Sequence, residues 1–415
     1  MQKKIVALAV AGLSTAAFAQ TNVTIYGVAD VSGQGISMSN VKDGNINANT
    51  GGGNVFALQS NSSLLGFKGT EDLGNGLKAL FQYETGINLT GTNTSANGNH
   101  PGAVAPGNGA LLGGMRDSFL GVNSKYGTVQ AGYLSTPFRA SLVSFAVEPG
   151  ATGSMTIEKQ MGSQRYGFAN TTFSSAFRAT AIAYAMPTLY GFDASIAYTG
   201  SNNNGANNSA SLGGNSGEGV SATTAAPQSA WGLNLGWTGY GVNIKGAFQQ
   251  ANNNFGATAS PNFNAPNQIG DYTSYLVGAI YTGIPGLKAS TVYARNTLGT
   301  NGPSALTTGG AGKITNNQLY AGVAYRMGNW EPSVSATWAS DMDGSSVQQL
   351  GSRQWQLRTG YYLSKRTQVY GLISNLNNSA NQNYTFGQQS SQLGSSTTTT
   401  GANLFTYGMG MRTTF

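Results

Sequence analysis

The sequence has 415 residues, a net charge of +7 and no cysteine, which excludes a disulfide framework and a thiolate metal site. Only 8% of its residues are charged, against about 25% in typical soluble domains, while 60 are glycine. Its 20 Tyr and 17 Phe exclude a disordered stalk, and without a basic cluster the positive charge points to no nucleic-acid partner.

In chain order, residues 1–19 come first. Lys3 and Lys4 precede an apolar run from Ile5 to Leu13, and Ala17, Phe18 and Ala19 form a small-x-small cleavage site. This predicts a secretory signal peptide cut before Gln20, leaving 20–415 as the mature chain. Polar Ser14 and Thr15 end the run short of the about 18 apolar residues that a spanning helix needs. The mature chain opens with Val23, Ile25, Ala29 and Val31 on one parity, and Thr24, Tyr26 and Asp30 on the other. A period of two predicts a strand with one apolar face. The alternation returns at Leu77, Ala79, Phe81 and Tyr83, and again at Trp231, Leu233, Leu235 and Trp237. Later come Leu319, Ala321, Val323 and Tyr325, then Val334, Ala336 and Trp338, then Trp355, Leu357, Thr359 and Tyr361. It closes the chain at Phe405, Tyr407, Met409, Met411 and Phe415, interleaved with Thr406, Gly408, Gly410, Arg412 and Thr414.

Short connections lie at 73–76, 124–127, 187–191, 238–241, 283–286, 328–329 and 363–367. Long polar stretches lie at 35–53, 91–113, 137–174, 200–229, 251–271, 297–316, 340–352 and 376–403. Seven turns and eight loops separate about sixteen strands, and short turns at one end with long loops at the other describe a transmembrane barrel. A soluble sandwich would turn its apolar faces inward. Here aromatic residues sit toward the ends of the apolar stripes, as Trp231 and Trp237 do, in the manner of interface girdles. The opposite parity is Gly, Ser, Thr, Asn and Gln with scattered Lys and Arg, which reads as a wet lumen. The expected fold is all-β: a transmembrane antiparallel β-barrel of about 16 strands, with short periplasmic turns and long extracellular loops. A barrel of that width leaves an aqueous channel. In lipid every backbone polar group needs a partner, so the last strand must pair with the one near 22–32, its apolar face on lipid.

Four stretches carry a resemblance to the trimeric porins of Gram-negative outer membranes, particularly their betaproteobacterial branch. VTIYGVAD (23–30) resembles the family's first strand, and LGFKGTEDLGNGLKALFQYE (65–84) its second strand, turn and third strand. YYLSKRTQVY (361–370) resembles the turn before its fifteenth strand, and Phe415 its closing aromatic. The stretch 184–192 is a weaker match. The resemblance implies a homotrimer in outer-membrane lipid, with a third extracellular loop folded into each pore against a basic wall. It implies passive diffusion of ions and small hydrophilic solutes, with no cofactor. The corresponding loop is 137–174, whose length alone marks it out. It holds Arg139, Glu148, Glu158, Lys159 and Arg165. Glu148 and Glu158 would supply the acidic side of a constriction, and Arg116, Arg139 and Arg165 a basic ladder, since rings of charge set ion preference. Arg116 matches a wall arginine of the family. The chain departs from the pattern at Leu64 and Tyr133, where the family often carries arginine, and at Thr413, where an aromatic or His is common. The expected pore is therefore wide or weakly selective.

Three other readings compete. Phe138, Phe145, Tyr166, Phe168 and Phe173 in the same loop would let a substrate-selective channel stack a ring-bearing solute. A barrel enzyme would need a proton carrier, and His100, the only histidine, stands in a Gly/Pro/Asn stretch with no nearby acid. Gly310, Gly312 and Lys313 lack the Ser or Thr of a phosphate-binding loop. Lys68 and Lys78 share the inward parity near a turn and read as solvated mouth residues. The Asn-rich stretch 202–208 reads as a solvated loop tip. A surface adhesin is the third reading, and a closed pore would be its mark.

Overall fold

The computed structural model describes residues 22–40, 54–90, 112–149, 157–165, 172–201, 228–252, 269–300, 312–386 and 401–415. The expected leader, His100 and the stretch 202–208 lie outside the described residues.

Alternating sequence forms strand along its whole length, because each strand finds an antiparallel neighbour on both sides. β1 is Asn22–Ser39. β2 (Asn54–Ser60) and β3 (Leu64–Gly74) run beside it in one line, broken at 61–63. β4 (Leu77–Ile87) pairs with β3 and with a second broken line, β5 (Leu112–Met115) and β6 (Ser118–Ser124). Arg116 and Asp117 occupy that second break. β7 (Gly127–Ser135) follows. Helices α1 (Pro137–Val143) and α2 (Ile157–Met161) come next, then the small hairpin of β8 (Ser163–Arg165) and β9 (Thr172–Ser174). The wall resumes with β10 (Arg178–Ala185), β11 (Phe192–Ser201), β12 (Gln228–Gly239), β13 (Val242–Asn252) and β14 (Ile269–Tyr281). It continues through β15 (Leu287–Thr300), β16 (Gly312–Tyr325), β17 (Trp330–Ala339), β18 (Ser352–Tyr362), β19 (Thr367–Asn378) and β20 (Asn403–Thr414).

The main sheet has 18 segments. Each broken line counts once, so the wall has sixteen positions. β20 pairs with β19 on one side and with β1 on the other, from Val28 opposite Thr414 to Ser39 opposite Asn403. The sheet closes on itself and keeps no free edge. Phe415 belongs to the ladder: its N–H donates to the Gly27 carbonyl at 3.1 Å, and its carbonyl accepts from the Gly27 N–H at 3.0 Å.

Exposure alternates as the sequence predicts, and in the sense of a membrane barrel. On β18, Gln354, Gln356 and Arg358 are buried while Trp355 and Leu357 are exposed. On β20, Leu404 and Thr406 are buried while Phe405, Tyr407, Met409 and Met411 are exposed. All seven short turns fall where the sequence places them. Asn75 and Gly76 both adopt positive φ, at 52° and 78°, the geometry of a two-residue hairpin loop.

Two details differ from the expectation. β1, β15 and β16 run several residues into stretches read as loops, because pairing continues where the outward side chains turn polar. The inward parity is also not polar throughout. Toward the loop end, Phe177, Tyr272, Leu298, Ile314, Met342 and Leu350 form one buried apolar cluster. Ile36, Leu376, Tyr384, Phe386 and Leu404 anchor another. The connections after β17 and β19 fold against the inner wall there and keep those positions dry.

Candidate functional site: the interior of the barrel

The connection after β7 turns into the barrel. Thr136 caps α1, its Oγ1 accepting from the Arg139 N–H at 3.3 Å, with Pro137 opening the first turn. The helix and the residues after it bury Phe138, Leu142 and Phe145 with Ile157 and Met161 of α2. This cluster rests on inward residues of the opposite wall: Ala247 of β13, Leu276 of β14, Val292 and Ala294 of β15, and Tyr320 of β16. Glycine makes the room. A Cβ on Gly278 would come within 2.7 Å of the Phe145 ring, and one on Gly322 within 2.8 Å of Val147. The Val147 N–H donates to Tyr320 Oη at 3.2 Å, fixing the far end of the segment.

The charged side chains fall into three groups. In the first, Arg116 pairs with Glu84, which also accepts from Tyr26 Oη at 3.1 Å. Beside them Asp117 pairs with Arg178 at 3.0 Å and accepts from the Ser135 N–H at 2.5 Å. In the second, Arg139 grips Glu158 through two bonds of 2.8 Å and donates to Ser135 Oγ at 2.7 Å. Burial works against the Arg139 charge, but Glu158 outweighs it and holds the guanidinium pKa above its ordinary value. In the third, Glu148 accepts from Tyr320 Oη at 3.3 Å and from Ser335 Oγ, which ties the segment to β16 and β17.

This arrangement corrects one expectation. Glu158 and Arg139 do not face each other across the lumen as acid and base; they belong to one loop and neutralise each other. Arg116 is likewise neutralised by Glu84 on the adjacent wall strand. Glu148 reaches the wall strands β16 and β17, distant from the loop's attachment. Arg165 lies on β8, paired through its backbone with Thr172, and its side chain is outside the described residues. Phe138 and Phe145 are fully buried between the loop and the inner wall and offer no face to a solute. Tyr166, Phe168 and the Phe173 side chain lie outside the described residues. Lys68 is exposed, with its Nζ 5.1 Å from the Tyr26 ring centroid, and Lys78 is exposed at the turn.

Sequence reasoning did not single out a second wall cluster. Arg358 is buried on β18, its guanidinium 4.5 Å from the Tyr370 ring, and its Nε and Nη1 have no hydrogen-bond partner. Tyr370 Oη donates to Asp30 at 2.7 Å, and Asn61 Nδ2 donates to the same carboxylate at 3.1 Å. Arg412 stands 3.7 Å from Asp30. The signal was available. In a chain with so few charges, a charge in mid-strand is expensive on the lipid face and belongs inside.

The model of a family described as Gram-negative porin matches residues 6–381. The major outer membrane protein P.IB of Neisseria gonorrhoeae is 31% identical over 208 residues, 50% of this chain and 51% of that one. The chain thus spans about half the length of that curated relative. The P.IB of Neisseria lactamica is 26% identical over 372 residues, 88% of this chain and 91% of that one. Among solved structures, the anion-selective porin from Comamonas acidovorans superposes with a TM-score of 0.65 at 20% identity, covering 95% of this chain and 100% of that one. At that identity the likeness speaks for the fold.

Proposed function

The chain belongs to the Gram-negative porin family, and from that premise we propose that it forms a water-filled channel in the outer membrane. Ions and small hydrophilic solutes would diffuse through it passively. The observation that carries this reading is the closed wall with apolar side chains outward and hydrogen-bonding side chains inward, which suits lipid outside and water within. The segment 137–149, packed on the inner wall, narrows the lumen and acts as its constriction. Arg116, Arg139, Glu148, Glu158 and Arg165 line or support it. Because most of the described charges there are paired, the channel discriminates weakly between anions and cations, unlike the relative described as anion-selective. The functional unit is a homotrimer, made from residues 20–415 after a leader is removed, and the protein carries out no covalent chemistry.

Vesicle swelling tests the reading. Vesicles holding the refolded protein should swell in sugars at rates that fall smoothly with solute size. A substrate-selective channel would instead pass one solute class and saturate. The burial of Phe138 and Phe145 argues against that alternative.

A further inference from the structure

Connections between strands usually run over the surface, but two of the long ones at the loop end turn into the barrel. After β19 the chain folds inward at 379–386. Tyr384 and Phe386, each 1% exposed, pack on the inward residues Ile36 of β1, Leu376 of β19 and Leu404 of β20. Asn378 holds the turn, its Nδ2 donating to the carbonyls of Tyr384 at 2.8 Å and Ala402 at 3.0 Å. Tyr384 reaches along the inner wall as far as β16, where its Oη accepts from Gln318 Nε2 at 3.0 Å. Gln318 ends a row of buried polar side chains. Ser274 Oγ donates to Asn296 Oδ1 at 2.6 Å, and Asn296 Nδ2 donates to Gln318 Oε1 at 3.2 Å. A buried polar network rigidifies a fold when its members are partnered, and this one runs from β14 to the loop.

The connection after β17 joins it. Met342, Val347 and Leu350 belong to one apolar cluster with Tyr272, Leu298 and Ile314 on the inner faces of β14, β15 and β16. The Gly351 N–H donates to Asp341 Oδ1 at 2.9 Å, which folds the segment back on itself. Asn381 Nδ2 donates to the Gln348 carbonyl at 2.8 Å, the Asn381 N–H to the Gln349 carbonyl at 3.1 Å, and Gln382 Nε2 to the Leu350 carbonyl. The two segments are therefore one packed body, lining the inner wall from β14 round to β1. It lies above the segment 137–149. On β15 it rests at Leu298, whereas the cluster of that deeper segment rests at Ala294, about 13 Å further down at the strand rise of about 3.3 Å per residue.

We propose that segments 340–351 and 379–386 form a collar that sets the size limit of the channel mouth, with Tyr384 as the positioning residue that seats it on the wall. The collar rests on the channel reading above. Segment 379–386 carries no charged residue, so the collar sorts solutes by bulk and not by sign. Bulky neutral solutes such as oligosaccharides are held back at the mouth, while ions and small sugars pass it and meet their narrowest point at 137–149.

The test is swelling of vesicles that hold the refolded full-length protein, comparing arabinose with the tetrasaccharide stachyose. Tyr384→Ala/Phe386→Ala should raise the stachyose-to-arabinose rate ratio roughly threefold, because passage of neutral solutes follows pore width. The arabinose rate and the single-channel conductance should stay nearly unchanged. Gln382→Ala, which cuts a tie between the two segments, should raise the ratio by a smaller factor. Tyr384→Phe keeps the ring while removing the bond to Gln318, and should restore most of the original ratio. Heat-modifiability on gels shows that each barrel is folded; should the double variant not fold, Gln382→Ala carries the test. An unchanged ratio in a folded variant would overturn the collar. So would arabinose and stachyose rates that rise together, which would make the collar the narrowest point for every solute. Exclusion of arabinose by all forms would overturn the channel reading, and the collar with it.

Discussion

At the scale of single residues, the interior is governed by which charges find partners. Arg139 and Glu158 are close, bidentate and part-buried, so removing one leaves the other uncompensated in the lumen. Glu158→Gln is expected to move the zero-current potential toward anion preference. The double variant Arg139→Ala/Glu158→Ala should return it toward the original, with a coupling of about 0.5–3 kcal/mol in thermal stability. Additive single effects would show that the pair is not formed. Arg358 is the contrasting case, a buried cation with two unpartnered donors. Arg358→Gln should shift the potential toward cations, and an unchanged potential would remove it from the field that passing ions feel. The inward position of Arg358 was legible from strand parity, and that of Arg139 and Glu158 only from the family resemblance. Their pairing was not. Arg139 and Glu158 are 19 residues apart, Arg116 and Glu84 are 32 apart, and no periodicity states which loop side chain reaches which wall.

At the scale of elements, the strands and turns were the most readable part of the chain. Alternation marked the faces, and pairs such as Asn75-Gly76 marked the turns because only a few residues accept positive φ cheaply. Strand ends were less readable, since β1 and β15 continue by backbone pairing after their apolar pattern stops. The packed segment 137–149 was legible as a special loop by its length, but not by its packing. What seats it is a wall of small residues, and Gly278 carries no sign of this in the sequence, because only the folded chain lays Phe145 over it. Gly278→Val would put methyl groups into the Phe145 ring. The expected outcome is a displaced loop and a larger single-channel conductance, while the heat resistance of the folded barrel on gels changes little. Unchanged conductance would show that the segment does not set the narrowest point.

At the scale of the whole molecule, closure is the step on which everything depends. The first and last strands meet over 12 residue pairs, and the terminal residue is held by two backbone bonds to Gly27. Gly27 also lies beneath the Phe415 ring, where a Cβ would come within 2.3 Å of it. Deleting Phe415 removes both bonds and this cover at the seam, and should lower the yield of heat-modifiable, folded barrel in vesicles severalfold. A normal yield would mean that the seam is set by the remaining ladder. The need for closure is itself readable in the amino-acid sequence, because strands with an apolar face toward lipid must have the backbone on both edges paired.

The central claim is an open, weakly selective channel whose internal charges largely cancel. Planar-bilayer recording under a salt gradient tests it most directly. An open trimer of such channels would give large conductance, closing under voltage in three equal steps, with a zero-current potential near zero. A sealed barrel, or a potential close to the limit for a purely anion- or cation-permeable pore, would contradict it.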